Sequence, residues 1–273
     1  MYRLLVLDLD GTILDREGRL ADRDVAAAHA LRDRGIGVTL CTGRLFTGTQ
    51  WVAQELGVRG SVGVANGSEL IDADSGETRH GVYVDRDARM LARELLEASS
   101  LTPLLFSSRT IHLGRASQWR APYLSVWTPR IQLHDELLEA SAWDDEDIVA
   151  VSAVGEAAAI EDLRRRLHRE LPGEHISFCF GTSGGESFLE LRRGGEDKGT
   201  ALVRLASERA LGPEETVAVG DWLNDLPMFE RAGRCFAMGQ STPEVKAAAG
   251  EELEAEHSGA IAEVAERVWG IRA

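Results

Sequence analysis

The sequence predicts an α/β protein built on a doubly wound parallel sheet, with a smaller α+β module inserted into it. Residues Leu4–Leu7 are apolar at every position, as in strands that a parallel sheet buries on both faces. Strand-like and helix-like segments alternate over residues 1–82 and again over residues 192–273. Residues 83–191 contain hairpin-like strands instead. We therefore expect one domain from the two terminal segments and a second from the insertion.

The first terminal segment has a regular strand–helix rhythm. A strand that runs through Leu9 is followed by a helix that opens near Asp22. Residues Ile36–Cys41 predict a second strand, and a helical stretch then runs to Leu56. A third short strand is predicted over Ser61–Ala65. This order of elements is typical of parallel strands joined by crossover helices.

The insertion has a different pattern of predicted elements, with a hairpin and isolated helices instead of a regular alternation. Its predicted elements are a helix over Asp87–Ala98, a hairpin of Leu104–Ser107 with Thr110–Leu113, a strand over Ile148–Val154, a helix with an apolar stripe of Ile160, Leu163, Leu167 and Leu171, and strands over Ile176–Phe180 and Ser187–Leu191. No element is predicted for the aromatic stretch Ala116–Arg130. The pattern indicates an α+β module with one open sheet.

The second terminal segment restores the strand–helix rhythm. We predict a helix over Lys198–Leu211, a strand over Thr216–Val219, a helix from Asn224 and a strand over Cys235–Met238, with short helices after it. These elements continue the pattern of residues 1–82, so the same sheet should contain strands from both ends of the chain.

The composition of the chain argues against several classes of function. The net charge of −15 disfavours binding to nucleic acid or to an anionic membrane surface. No apolar stretch approaches the roughly 20 residues of a membrane-spanning helix, and Asp8 interrupts the apolar run where a secretory signal would need it. The three cysteines, Cys41, Cys179 and Cys235, are odd in number and far apart in the sequence. This spacing does not indicate a disulfide framework or a zinc site. We expect a cytoplasmic protein, either a monomer or a homodimer.

Polar groups follow three of the predicted core strands. They are Asp8 and Asp10 after the first, Thr42 and Gly43 after the second, and Asp221, Asn224 and Asp225 after the strand at Thr216–Val219. Lys198 begins the helix before that last strand, and Lys198 and Lys246 are the only lysines in an arginine-rich chain. Because an open α/β sheet binds ligands at the carboxyl ends of its strands, these groups should converge on one crevice.

The types of residue in this set indicate phosphoryl transfer. Several carboxylates without histidine or cysteine suit a hard cation bound by oxygen, and we expect this cation to be Mg²⁺. A lysine and a hydroxyl can balance the charge on the oxygens of a transferring phosphoryl group. One carboxylate can attack phosphorus, and a second can protonate the leaving oxygen and then activate water.

Together these residues resemble the four motifs of the haloacid dehalogenase-like hydrolases, in that family's order. The motifs are Asp8–Thr12, Thr42–Arg44, Asp197–Gly199 and Gly220–Asp225. The insertion between the second and third motifs resembles the Cof-type phosphatase branch, which carries a C2 cap. The resemblance covers essentially the whole chain. It implies a Rossmann-like catalytic core over residues 1–82 and 192–273, and a cap domain over residues 83–191.

The resemblance also implies roles for individual residues. Asp8 would be the nucleophile, Asp10 the general acid and base, and Lys198 the group that orients the nucleophile and offsets its charge. The substrate-binding residues would be Thr42, Gly43, Arg44, Lys198 and Asn224. The groups that hold Mg²⁺ would be Asp8, the backbone carbonyl of Asp10 and Asp221, with Asp225 in support.

We therefore predict a Mg²⁺-dependent phosphatase that hydrolyses small phosphorylated metabolites, such as sugar phosphates, through an aspartyl-phosphate. The cap would exclude bulk water and select the substrate. A phosphotransferase or phosphomutase with the same nucleophile remains an alternative, as does a non-catalytic binding protein on the same fold. Asn66, which precedes Gly67, is either a simple turn residue or part of the site.

Overall fold

A computed structural model describes residues 1–171, 175–181 and 185–272. The chain forms two compact units. The first consists of Met1–Gly81 together with Glu196–Ala273, and the second is Val82–Gly195. The sequence therefore leaves the first unit once and returns to it once.

The elements are numbered in chain order. The first unit begins with β1 (Leu4–Leu7), α1 (Asp22–Asp33), β2 (Gly37–Leu40), α2 (Phe46–Glu55), β3 (Ser61–Val64), β4 (Glu69–Asp72) and β5 (Thr78–Gly81). The second unit contains α3 (Arg86–Glu97), β6 (Thr102–Ser107), β7 (Ile111–Gly114), α4 (Ala121–Leu124), β8 (Ile131–His134), β9 (Ile148–Gly155), α5 (Ala157–Glu170), β10 (His175–Gly181) and β11 (Ser187–Arg193). The first unit resumes with α6 (Lys198–Ser207), β12 (Thr216–Gly220), α7 (Leu226–Phe229), β13 (Arg234–Ala237), α8 (Pro243–Ala249) and α9 (Ala260–Trp269).

The main sheet of the first unit is parallel and has the strand order β13-β12-β1-β2. Leu7 at the end of β1 lies beside Val219 on one side and Leu40 on the other. The strands therefore end at the same edge of the sheet. This common edge brings together loops that are far apart in the sequence.

Both faces of this sheet are covered by helices, which confirms the predicted doubly wound fold. Leu5 and Leu7 pack in one buried cluster with side chains of α1, α2 and α9. Leu4 and Val6 point to the opposite face and pack in a second cluster with side chains of α6, α7 and α8. Alternate residues of one strand thus enter two separate cores, which is why β1 has no polar position before Asp8.

A small antiparallel sheet, with the order β3-β4-β5, extends the first unit beyond β2. The predicted third strand corresponds to β3, which meets the main sheet at a single parallel bridge between Cys41 and Gly63. Neither β4 nor β5 is evident in the sequence pattern. Acidic residues bound the short β4, and much of the polar β5 is exposed, so neither has the apolar run of a core strand.

The second unit has a six-stranded sheet with the order β10-β11-β9-β6-β7-β8. All neighbours are antiparallel except β7 and β8. The predicted hairpin is present as β6 and β7, and helices α3 and α5 contribute to the core of this unit. In the unassigned stretch, Trp127 stacks on Phe188 with ring centroids 6.3 Å apart, so this aromatic residue serves packing.

Two helix boundaries differ from the sequence pattern. The helix that begins at Lys198 ends at Ser207, because the chain leaves helical geometry and passes through Ala210 with a φ of 54°. The helix expected from Asn224 begins as a 3₁₀ turn over Leu223–Asp225 and becomes α7 only afterwards. Among the described residues, no helix combines the length and the apolar character needed to cross a bilayer.

Candidate active site

A buried lysine joins two of the predicted motifs in the first unit. The Lys198 Nζ lies 2.6 Å from Asp8 Oδ1 and 2.7 Å from Asp225 Oδ1. The side chains of Lys198, Asp8 and Asp225 are 1%, 7% and 0% exposed. An ammonium group at this depth would be costly alone, but here it contacts two carboxylates.

Local backbone geometry explains why these groups meet. The Asp8 N–H donates to the carbonyl of Val219, so the pairing of β1 with β12 continues to the first carboxylate. Lys198 is the first residue of α6, and the start of that helix is fixed by a capping box in which Asp197 and Thr200 bond to each other's backbone N–H groups. One strand end and one capped helix start therefore hold the ion pair.

Asp225 organises the loop after β12. Its Oδ2 accepts hydrogen bonds from the backbone N–H groups of Asp221, at 2.9 Å, and Trp222, at 3.0 Å. Its Oδ1 accepts from Lys198, so both oxygens already have donors. A Cβ on Gly220 would lie 2.3 Å from the Asp225 carboxyl carbon, which explains the glycine before Asp221. Asp225 therefore supports the site through Lys198 and the loop backbone.

Asp221 lies against the loop that follows Asp10. The Thr12 hydroxyl donates to Asp221 Oδ1 at 3.3 Å. Gly11 has a φ of 79°, and a Cβ there would lie 2.4 Å from Asp221 Oδ2. Only glycine satisfies both constraints without a rearrangement. The Gln240 Nε2 donates to the Gly11 carbonyl at 2.6 Å, a contact that the sequence motifs did not indicate.

The charges in this cluster shift one another's titration. Burial raises the pKa of Asp8 well above its usual range, against the opposing effect of Lys198. Burial and the neighbouring Asp225 raise the pKa of Asp221 to about 7. Burial alone would lower the pKa of Lys198, but Asp225 and Asp8 raise it above its usual range. The site thus holds more negative charge than one lysine balances.

This excess of negative charge fits a bound divalent cation. One carboxylate oxygen from each of Asp8, Asp221 and Asp225 lies within 4.8 Å of the others. The donors are all oxygen atoms, which suits Mg²⁺ better than a softer metal. Because Asp225 already accepts three hydrogen bonds, Asp8 and Asp221 are the side chains better placed to act as direct ligands.

Asp10 has a different environment. The Arg44 Nε and Nη2 donate to its two carboxylate oxygens at 2.8 and 2.5 Å. The Asp10 side chain is 47% exposed, whereas that of Arg44 is 8% exposed. The backbone N–H of Arg44 also donates to the hydroxyl of the buried Thr42, at 3.2 Å. The structure thus pairs Arg44 with the predicted acid and base, and a contact from Arg44 to substrate stays a prediction.

Asn224 is held by a residue whose role the sequence left open. Its Nδ2 donates to Asn66 Oδ1 at 2.9 Å, across 158 residues of sequence. A Cβ on Gly43 would lie 3.2 Å from the same Asn66 oxygen. The second and fourth motifs therefore meet at Asn66. An Asn-Gly pair after a strand signals a turn, so the pattern alone could not reveal this contact.

The predicted site residues thus form three connected groups at one end of the parallel sheet. The first is Asp8, Lys198, Asp221 and Asp225, the second is Asp10, Arg44 and Thr42, and the third is Gly43 and Asn224 with Asn66. The roles assigned to these residues stay predictions. Asn66 and Gln240 are the additional residues that the geometry brings to attention.

Known proteins resemble this chain along nearly its whole length. A family model described as haloacid dehalogenase-like hydrolase matches residues 5–264. The HMP-PP phosphatase of Yersinia pseudotuberculosis is 29% identical over 253 residues, which cover 90% of this chain and 87% of that protein. The crystal structure of a haloacid dehalogenase-like hydrolase from Bacteroides thetaiotaomicron has 26% identity and a TM-score of 0.83, and the match covers 98% of this chain and 100% of that one. A Thermotoga maritima structure shares the fold at 22% identity, with a TM-score of 0.81 and 98% coverage of each chain.

Proposed function

The chain belongs to the haloacid dehalogenase-like hydrolases and is a phosphatase of small phosphorylated metabolites; we propose that it works through an aspartyl-phosphate on Asp8 with Mg²⁺ as its cofactor. The observation that carries this mechanism is the buried contact of Lys198 with both Asp8 and Asp225. A lysine buried between two carboxylates favours their ionised forms and holds them in positions fixed by backbone structure.

In the first step, an Asp8 oxygen attacks the phosphorus of the substrate. The new bond joins that oxygen to phosphorus, and the bond from phosphorus to the leaving oxygen breaks. Lys198 orients Asp8 and favours its ionised form, which opposes the rise in the pKa of Asp8 that burial causes. Splitting the displacement in this way replaces one difficult reaction with two easier ones.

Asp10 moves the protons in both steps. It donates its proton to the leaving oxygen, and its carboxylate then accepts a proton from the water that attacks the phosphorus of the aspartyl-phosphate. That second attack releases inorganic phosphate and regenerates the Asp8 carboxylate. The half-exposed side chain of Asp10 suits this role, because a proton carrier must reach the leaving group and water in turn.

Asp8, the backbone carbonyl of Asp10 and Asp221 would hold Mg²⁺, with Asp225 in support. The bound ion would offset charge on the phosphoryl oxygens and on the carboxylates. The all-oxygen donor set and the raised pKa of Asp221 support this choice of ion. Asp225 contributes by ordering the backbone N–H groups that set the position of Asp221.

The remaining motif residues would bind the phosphoryl group. Thr42 and Gly43 lie in the loop after β2, and Asn224 lies in the loop after β12, so their donors come from two strand ends. Arg44 would contact the substrate once its guanidinium group is no longer paired with Asp10. Backbone and side-chain donors placed in advance stabilise the charge of the transferring group.

The substrate would be a small phosphomonoester, and the unit built from Val82–Gly195 would act as the cap that selects it. The similarity to an HMP-PP phosphatase supports a phosphorylated metabolite as the substrate class. We place the enzyme in the cytoplasm, as a monomer or homodimer. The net charge of −15 makes nucleic acid an unsuitable partner.

The decisive experiment is a panel of phosphate esters assayed with and without Mg²⁺. The panel contains sugar phosphates, nucleotides and cofactor phosphates, and phosphate release is measured together with isomer formation. We expect Mg²⁺-dependent phosphate release from several esters. Isomer formation without phosphate release would support a phosphomutase instead. No turnover of any ester would support a non-catalytic binding protein and would contradict the proposal.

A further inference from the structure

Two adjacent residues after β3 have an unusual backbone conformation. Ala65 has a φ of 49° and Asn66 has a φ of 55°, both in the left-handed region that residues with a side chain rarely adopt. Such conformations cost free energy and persist where the surrounding structure requires them. This pair lies in the loop that meets the second and fourth motifs, so the reason for the conformation should lie there.

Backbone hydrogen bonds fix this loop against the second motif. The Asn66 N–H donates to the Thr42 carbonyl at 2.9 Å, and the Ala65 N–H donates to the Arg44 carbonyl at 2.8 Å. The next residue packs closely against the third motif, because a Cβ on Gly67 would lie 2.2 Å from the Asp197 carbonyl oxygen. The left-handed pair therefore lies between two loops that carry predicted site residues.

The side chain of Asn66 adds a connection that a turn does not need. Its Oδ1 accepts a hydrogen bond from Asn224 Nδ2 at 2.9 Å and lies close to Gly43. Glycine would provide the same backbone conformation at lower cost. An asparagine here, with its amide directed at Asn224, indicates that the position serves the side-chain contact as well as the turn.

We propose that Asn66 is a positioning residue that acts through Asn224. By accepting one N–H of the Asn224 amide, it would orient the other N–H towards the phosphoryl oxygens. Its backbone bond to Thr42 would fix that amide relative to the second motif. This inference rests on the proposed function, because it takes Asn224 as a ligand of the phosphoryl group. A small displacement of such a donor costs rate even when the fold is intact.

The test compares Asn66→Gly with wild type on the best ester of the panel. Glycine keeps the left-handed backbone and removes the side chain, so the thermal unfolding midpoint should stay equal or rise. We expect kcat to fall by about tenfold, with a smaller change in KM. A residue that served the turn alone would retain its kcat. Asn66→Ala should show the same loss of kcat with lower stability, since alanine is strained in this conformation.

Ala210→Gly is the matched control. Ala210 has a φ of 54° in the loop after α6, so glycine relieves the same backbone conformation outside the three groups of site residues. We expect a stability at least equal to that of wild type and an unchanged kcat. A loss of kcat in Asn66→Gly alone would then be due to its side chain, and an equal loss in both variants would contradict the inference.

A double-mutant cycle tests whether Asn66 acts through Asn224. If it does, the variant with both Asn66→Gly and Asn224→Ala should be no slower than Asn224→Ala alone. The inference is overturned if the two losses multiply, or if Asn66→Gly keeps the wild-type kcat. An inactive wild type would overturn the proposed function itself. If the wild type is active and Asn66→Gly has the same kcat, only the role proposed for Asn66 would be overturned.

Discussion

Two carboxylate–cation contacts at the site differ in exposure. Lys198 and Asp8 are 1% and 7% exposed, and Asp225 completes their cluster without any exposure. In the other contact, Arg44 is 8% exposed, but Asp10 is 47% exposed. Charges in the first contact cannot turn to water when a partner is lost, whereas Asp10 can. The first arrangement suits a group that must stay in place, and the second suits a group that must exchange partners.

The largest effect should come from Asp8→Asn, within the buried contact. Asparagine keeps the shape and an oxygen that can accept from Lys198, but it cannot form the aspartyl-phosphate. Phosphate release should fall by at least about a thousandfold. Circular dichroism and thermal unfolding should show a folded protein, because the change also removes one buried negative charge. Wild-type turnover in this variant would refute Asp8 as the nucleophile.

The next variant, Lys198→Met, tests whether the two contacts contribute differently to the free energy of unfolding. It leaves Asp8 and Asp225 buried without their cation, and breaking a buried ion pair from one side costs about 3–5 kcal/mol. Urea unfolding measures this loss, and phosphate release should disappear with it. The matched variant is Arg44→Met, which leaves Asp10 free to be hydrated and should cost about 1 kcal/mol or less. Equal losses in the two variants would show that exposure does not distinguish the contacts.

Asp10→Asn should affect rate far more than stability. The amide can still accept a hydrogen bond from Arg44, and the side chain is half exposed, so the free energy of unfolding should change by about 1 kcal/mol or less. It can no longer carry a proton, and kcat should fall by about a hundredfold to ten-thousandfold. Esters with better leaving groups should recover part of the first step. A uniform loss across leaving groups would argue against Asp10 as the acid.

The last comparison concerns the response of the buried contact to pH and Mg²⁺. An acid with a higher pKa in the folded than in the unfolded protein makes the folded state bind more protons. Stability then falls as pH rises between the two values, which for Asp221 are about 7 and an ordinary 3.8. Without metal, the thermal unfolding midpoint should therefore fall as the pH is raised from about 4 to about 7.

Mg²⁺ should reverse this loss, because it binds the deprotonated carboxylates. At a concentration 100 times its Kd, it should add about 2.7 kcal/mol of stability. Its affinity should weaken as pH falls below about 7, since protons compete for the ligands. Asp221→Asn should remove most of this response to Mg²⁺ and flatten the pH dependence. A Mg²⁺ response that is unchanged in this variant would exclude Asp221 as a ligand.

The sequence pattern predicted the buried elements better than the exposed ones. Leu4–Leu7 was recognisable because both faces of β1 enter cores, and the position of Asp8 follows from where that strand ends. The strands β4 and β5 were missed because they are short and largely polar at their ends. The early end of α6 follows from the turn at Ala210, which the apolar spacing of the helix does not encode.

The contacts of individual side chains depended on the fold in a different way. The pairing of Arg44 with Asp10 and of Asn66 with Asn224 joins residues from different loops. Such pairs show no recognisable pattern in the sequence, because the arrangement of the strands in the sheet determines which loops come close together. The same holds for Gln240, whose bond to Gly11 spans 229 residues.

Local chemistry determined, from the sequence alone, the kind of sheet, the order of the motifs and the oxygen-rich character of the site. Those properties follow from hydrophobic periodicity and residue type, which are read along the chain. Tertiary structure alone decided that Asp8 is buried, that Asp10 is half exposed and that the Asn66 amide accepts a hydrogen bond from Asn224. These depend on the desolvation and distance that result when strand ends meet, and both arise only after the chain has folded.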